Sequence, residues 1–195
     1  MKKDIILAGV GGQGILSIAT CIGMTAIDAG LHLKQAEVHG MSQRGGDVHS
    51  NLRLSDKEIA SDLIPRGKAD MIISVEPMES LRYLPMLGPD GWLITNTKPH
   101  VNIPNYPPLE DVINEIKSIT NHIAIDANDI AAELGLRRSA NMVILGAASP
   151  FLDLEFKDLE NAISNIFKSK GEDVVKANIK ALNAGRDFAE NYIKK

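Results

Sequence analysis

Apolar and polar positions divide the chain into short elements from its first residues onward. Ile5-Ile6-Leu7-Ala8 is a continuous apolar run, and the next six positions, Gly9-Val10-Gly11-Gly12-Gln13-Gly14, interrupt it with four glycines. The run predicts a buried strand over 4–8, and the helical spacing that follows predicts a helix over 12–29 closed by Gly30. A second strand is expected over 33–38. Strict alternation over 48–54 (Val48, Ser50, Leu52 and Leu54 against His49, Asn51 and Arg53) predicts another. Residues 70–75, with Met71, Ile72, Ile73 and Val75, form a mostly apolar run suited to a central parallel strand, and Glu76-Pro77-Met78-Glu79 opens a helix expected to reach Tyr83.

Gly88-Pro89-Asp90-Gly91 has the chemistry of a turn ahead of a strand over 92–96. Residues 97–108 hold four of the nine prolines and predict an irregular surface path. A helix over 112–120, a short last strand over 123–126 and a helix over 129–134 ended by Gly135 complete the alternation. Everything from Ser139 onward reads as helix. Residues 141–148 are apolar on most sides and so buried, whereas 156–167 and 173–193 carry one apolar face, with Val174, Ile179, Leu182 and Phe188 as its core positions. This order predicts an α/β fold, Rossmann-like and doubly wound, with a mostly parallel sheet and a C-terminal helical tail. One domain over 1–195 is expected, with a sheet core over about 1–135 and a helical region over about 139–195. No repeat or low-complexity tract divides the chain.

Composition narrows the partners. The net charge of −4 arises from 21 basic and 25 acidic residues without a basic cluster, which argues against nucleic acid. No stretch approaches the roughly 20 apolar residues of a membrane span, so no membrane association is expected and the predicted location is cytoplasmic. Cys21 is the only cysteine. A cysteine-ligated iron–sulfur cluster, a multi-cysteine zinc site and an internal disulfide are thereby excluded from this chain, and its apolar setting marks Cys21 as a buried structural thiol.

Two polar loops carry the candidate chemistry. In the first, Gly9, Gly11 and Gly14 fit the G-x-G-x-x-G spacing, and a strand, a glycine turn and a helix in that order form an anion cradle. The spacing also serves close helix–strand packing, which is the structural alternative. Ile15 and Leu16 stand where a phosphate-loop lysine and hydroxyl would be, so nucleoside triphosphate hydrolysis is not expected. Glu37 lies near the place, about 20 residues on, where a dinucleotide fold holds its ribose. That keeps a stand-alone NAD(P)-binding dehydrogenase open, although no catalytic half remains for it. The second loop runs His39-Gly40-Met41-Ser42-Gln43-Arg44-Gly45-Gly46. Ser42 and Gln43 offer hydrogen bonds, Arg44 a planar fork for phosphate or carboxylate, and Gly45-Gly46 a tight backbone turn. Both loops are expected to open at the same carboxyl edge of the sheet and meet in one crevice. The alternative is an Arg44 paired with Glu37 or Asp47 and a His39 satisfied at the rim.

The glycine turn 9–14, the stretch Gln35-Ala36-Glu37-Val38-His39-Gly40-Met41-Ser42-Gln43-Arg44-Gly45-Gly46, and Asn178 with Gly185 resemble the gamma-type subunits of 2-oxoacid:ferredoxin oxidoreductases. Residues 76–85, Glu76-Pro77-Met78-Glu79-Ser80-Leu81-Arg82-Tyr83-Leu84-Pro85, resemble the indolepyruvate branch. The resemblance implies a pyruvate/ketoisovalerate oxidoreductase gamma-type domain and a non-autonomous subunit of an enzyme that oxidatively decarboxylates arylpyruvates to aryl-acetyl-CoA. It further implies a large alpha subunit holding thiamine diphosphate, Mg and the iron–sulfur clusters, ferredoxin as acceptor, and coenzyme A as co-substrate. The gamma-type domain is then expected to pack on the thiamine-bearing subunit and to help form the coenzyme A side of the site through Gly9, Gly11, Gly12, Gln13, Gly14, His39, Ser42, Gln43, Arg44, Gly45 and Gly46. No catalytic acid, base, nucleophile or metal ligand is assigned here. A scaffold whose loops only hold a partner is the third reading.

Overall fold

The computed structural model describes residues 1–39 and 45–194, His39 by its backbone alone. Among these residues, six strands form one sheet in the order β2-β3-β1-β4-β5-β6. These are β1 (Lys2–Val10), β2 (His32–His39), β3 (Asp47–Ser55), β4 (Ala69–Ser74), β5 (Leu87–Asn96) and β6 (His122–Ile125). β3 runs antiparallel to both β1 and β2, while β4, β5 and β6 continue parallel to β1. The expected mostly parallel α/β fold is present, with β2 and β3 closing as a hairpin and β3 lying between β2 and β1.

Among the described residues, seven α-helices flank the sheet. α1 (Ile15–Asp28), α4 (Ala127–Glu133), α5 (Ala140–Ala148), α6 (Phe156–Phe167) and α7 (Glu172–Ile193) pack with the side chains of Ile5, Leu7, Met71, Ile73 and Ile94. The opposite face, with Ile6, Ile72 and Leu93, is covered by α2 (Pro77–Arg82) and α3 (Leu109–Ser118), whose Val112 and Ile116 are buried there. Alternation along each strand sends successive side chains to opposite faces, so one continuous apolar run feeds both layers.

α5 is buried on nearly every side because it lies between the sheet and α7. A Cβ on Gly146 would stand 1.9 Å from the Leu182 carbonyl oxygen, and one on Gly185 1.9 Å from that of Val143. The two helices therefore cross backbone against backbone, and the C-terminal helix is a layer of the fold rather than an appendage. Leu182 is fully buried, and Val174, Ile179 and Phe188 pack against the same core, as the apolar spacing predicts.

Two expectations need correction. α1 begins at Ile15, not Gly12, because Gly14 takes a left-handed conformation (φ +84°) that a helix cannot contain. Residues 88–91 do not make a turn before a strand but lie within β5: the register passes from Ala69 opposite Leu87 to Met71 opposite Trp92, so the glycine–proline segment forms an extended bulge. The remaining boundaries differ by a few residues, as frayed ends do. Residues 97–108 follow the irregular path that their prolines dictate. Cys21 is buried, and burial pushes its thiol up to about 12. Among the described residues, no helix is long and apolar enough to cross a membrane.

Candidate functional site

The glycine turn satisfies its own polar groups. The Gln13 amide donates to the Val10 carbonyl (3.1 Å), and its side-chain Oε1 accepts from the Val10 amide (2.8 Å). The Gly11 amide donates to Gly46 O (2.9 Å), which ties the turn to the β2–β3 hairpin. Gly9 is needed for packing, since a Cβ there would fall 2.4 Å from Val75 Cγ2. Asn141 Nδ2 donates to Gly14 O (3.2 Å) and fills the space beside that residue. Gly12 differs: its φ is +99° and nothing lies within 4 Å of where a Cβ would point. Of the predicted cradle, Gly12 opens outward, while the Ser17 and Ile18 amides of α1 are already taken by the Gly14 carbonyl (3.1 and 3.4 Å).

The hairpin loop and the glycine turn do meet at the carboxyl edge, through Gly11 and Gly46. Gly45 has φ +78°, and its carbonyl accepts from Asn102 Nδ2. Ser42, Gln43 and Arg44, and the side chain of His39, lie outside the described residues. Glu37 sits on β2, and β3 intervenes between β2 and β1. Two strand spacings are about 9–10 Å, so the acidic residue does not stand next to the glycine turn as a dinucleotide ribose requires.

Strand order reverses between β1 and β4, which makes their carboxyl ends the switch point of the sheet. A cleft of about 340 Å³ opens beside it, lined by Gly12, Gln13, Asn96, Asn128, Arg137 and Arg138. Asn96 organises its floor. Its Nδ2 donates to Val75 O (3.2 Å) and to Asn128 Oδ1 (2.8 Å), while its Oδ1 accepts from the Ala127 amide (3.1 Å), binding the ends of β4, β5 and β6 together. The cleft continues past Arg137 and Arg138 into a groove of about 830 Å³ between the start of α1 and α7, where Phe167, Lys170 and Val174 form the far wall. Among the described residues, neither arginine meets a carboxylate within 4.0 Å. Sequence reasoning missed this pair. The available signal was its place after the Gly135 cap, in the connection that follows β6 and α4.

On the other face of the same edge, polar groups anchor the irregular segment. Glu76 is 1% exposed. Its carboxylate accepts from the Glu79 amide (2.9 Å), the His100 amide (3.1 Å) and the Tyr106 hydroxyl (2.6 Å), so one buried group caps α2 and holds the segment after β5. Burial, with the hydrogen bond to Glu76 next, pushes the Tyr106 phenol up, which keeps it a donor. Among the described residues, no three His, Cys, Asp or Glu side chains gather as a metal site.

Residues 4–188 match the family described as pyruvate ferredoxin/flavodoxin oxidoreductase. Among curated relatives, the chain is 37% identical to "Indolepyruvate oxidoreductase subunit IorB" of Archaeoglobus fulgidus, covering 97% of this chain and 96% of that one. It is 36% identical to the subunit of the same name from Pyrococcus horikoshii, covering 99% of each. Among solved structures, the fold is similar to pyruvate oxidoreductase subunit PORC of Thermotoga maritima (TM-score 0.73, 22% identity, 95% of this chain and 96% of that one). It is also similar to part of 2-oxoglutarate:ferredoxin oxidoreductase from Magnetococcus marinus (TM-score 0.77, 23% identity), where the match covers 97% of this chain and 31% of that one. The chain belongs to the pyruvate ferredoxin/flavodoxin oxidoreductase family, as a gamma-type domain.

Proposed function

We propose that this chain is the gamma-type subunit of an indolepyruvate-class 2-oxoacid:ferredoxin oxidoreductase, which converts arylpyruvates to aryl-acetyl-CoA and passes the electrons to ferredoxin. The observation that carries the reading is the 36–37% identity to two indolepyruvate oxidoreductase subunits over nearly the whole of each chain. The donor set supports a division of labour. Its single thiol is buried and held protonated, so the chain offers no thiolate set for a cluster. The clusters are therefore assigned to a large alpha subunit, where the family resemblance also puts thiamine diphosphate and Mg, and no step of the reaction is routed through this chain's own side chains.

This chain's part is to bind. The carboxyl edge brings Gly12, Gln13 and two arginines to one cleft, an arrangement that suits the phosphates of coenzyme A. The hairpin residues His39, Ser42, Gln43, Arg44, Gly45 and Gly46 stay in the proposed site because their loop begins and ends at that edge. Arg137 and Arg138 join them. Anaerobic co-purification of the tagged chain should bring down a large iron–sulfur, thiamine-containing subunit, with viologen reduction dependent on indolepyruvate and coenzyme A. A chain that came down alone and bound NAD(P) tightly would return the stand-alone dehydrogenase reading. A charge-assisted hydrogen bond contributes roughly 1.5–3 kcal/mol, so Arg137→Gln with Arg138→Gln should raise the KM for coenzyme A about tenfold or more while kcat stays near that of the parent. Unchanged KM in this variant and in Arg44→Ala would refute the phosphate role. Weakened assembly with unchanged substrate constants would favour the scaffold reading.

A further inference from the structure

Gly45, Gly46 and Asp47 are consecutive, and each is held by a different part of the chain. The Gly46 carbonyl accepts from the Gly11 amide (2.9 Å). The Gly45 carbonyl accepts from Asn102 Nδ2, in the irregular segment after β5. Asp47, the first residue of β3 and the partner of Val10 in β1, receives the Tyr83 hydroxyl, which stands 2.7 and 3.0 Å from its two carboxylate oxygens. The same hydroxyl lies 2.8 Å from His49 Nδ1, and the two rings are 4.6 Å apart. A phenol has one proton to donate and a carboxylate accepts, so Tyr83 donates to Asp47 and His49 Nδ1–H donates to Tyr83. Burial, with the bond to Asp47 next, pushes the phenol up and keeps it a donor.

The two outer holders are themselves fixed. Tyr83 closes α2 as its C-cap, and its ring packs against the apolar cluster that contains Ile72 and Leu93. Asn102 is exposed, but it lies between His100 and Tyr106, whose amide and hydroxyl both donate to the Glu76 carboxylate (3.1 and 2.6 Å). That carboxylate also caps the start of α2 through the Glu79 amide (2.9 Å). One buried group thus roots the helix that carries Tyr83 and the segment that carries Asn102. Between them sits a glycine pair, the residues with the most backbone freedom to lose, and Gly45 takes a φ of +78°. Contacts on both sides are what such a pair needs to present one carbonyl in one place.

We propose that Tyr83 and Asn102 are positioning residues of the cleft: they hold Asp47 and Gly45 on either side of Gly46 and so fix the carbonyl to which the Gly11 amide is bonded. The effect reaches the cleft in one step, because Gly12 and Gln13, which line it, directly follow Gly11. Neither Tyr83 nor Asn102 lines the cleft itself, so each acts only through the Gly11 and Gly46 bond. The consequence for substrate rests on the reading of this cleft as a coenzyme A site, whereas the consequence for the Gly11 amide does not.

Tyr83→Phe keeps the ring against His49 and removes only the hydroxyl, and two measurements on it test this. Hydrogen exchange of the whole chain should show the protection of the Gly11 amide falling roughly tenfold, as loss of a charge-assisted bond implies. The Leu93 amide, which donates to Asn121 O (3.0 Å) on the far side of the sheet, should keep the protection of the parent. An unchanged Gly11 amide overturns the proposal, and so does an equal fall at Leu93, which would make the effect a general loss of stability. In the assembled enzyme the KM for coenzyme A should rise roughly threefold to tenfold while kcat stays near that of the parent. A loosened Gly11 with an unchanged KM would refute the coenzyme A reading and leave the positioning role standing. Should Tyr83→Phe fail to fold, Asn102→Ala alters an exposed side chain and must lower Gly11 protection severalfold by itself, and an unchanged value there is equally fatal.

Discussion

Gly12 and Gly185 are both glycines of the family resemblance, yet their substitution should cost different things for different reasons. At Gly185 a Cβ would stand 1.9 Å from a backbone carbonyl oxygen, and neither α5 nor α7 can yield without separating their layers. Gly185→Ala should lower stability by about 2–3 kcal/mol, as overpacking in a close-packed core does. A melting point roughly 5–10 °C lower would register it. At Gly12 there is free space but a φ of +99°, so the penalty is backbone strain alone, on the order of 1 kcal/mol. The fold should survive that change, and any larger effect on coenzyme A kinetics would then report on the cleft. Cys21 should resist iodoacetamide at pH 8 in the native chain and react once the chain is unfolded, since burial both covers the thiol and holds it protonated. Full modification under native conditions would contradict the packing of α1. The burial of Cys21 was legible from its apolar neighbours, whereas the close approach at Gly185 was visible only as a resemblance, because nothing local distinguishes a packing glycine from any other.

Secondary-structure elements meet charge at one buried place that alternation did not flag. Asp4, on β1, is fully buried and bonded by Arg53 of β3 through Nε to Oδ1 (2.7 Å) and Nη2 to Oδ2 (3.1 Å), with Lys2 Nζ 2.8 Å from Oδ2. Arg53 also donates to the Ser61 and Leu63 carbonyls, so one guanidinium joins the central antiparallel pair to the connection beyond it. Removing Arg53 leaves the buried Asp4 carboxylate with only the largely exposed Lys2 ammonium as its cation. Arg53→Met should therefore cost about 2–4 kcal/mol in denaturant unfolding, and adding Asp4→Asn should recover part of the loss. A double variant no more stable than the single would show that the carboxylate was not the source. Helix and strand positions were legible almost throughout because each apolar run has the period of its element. The segment 88–91 was not, since glycine and proline mark a turn and a bulge with the same chemistry.

At the scale of the whole molecule, pH should act through Glu79. With a folded value near 7 against an ordinary 4.5, its contribution to stability is full below about pH 4.5 and is lost as pH rises through about 7. The wild type should therefore lose stability relative to Glu79→Gln across that window, and parallel stability curves for the two proteins would contradict it.

The family of the chain was legible before any coordinates: contiguous motifs such as Gly9–Gly14 and Ser42–Gly46 are local strings, and composition alone kept a cluster-ligating role away from a chain with one cysteine. That the glycine turn and the hairpin share an edge was also legible, because loops after parallel strands open on the same side. Partnerships between distant segments depended on the tertiary structure. β3 separates Glu37 from the glycine turn, Arg137 and Arg138 arrive at the cleft from the far end of the sheet, and the Tyr83 hydroxyl meets the Asp47 carboxylate across 36 residues of chain. Periodicity states which face of an element is buried; strand order and helix crossing decide what that face meets.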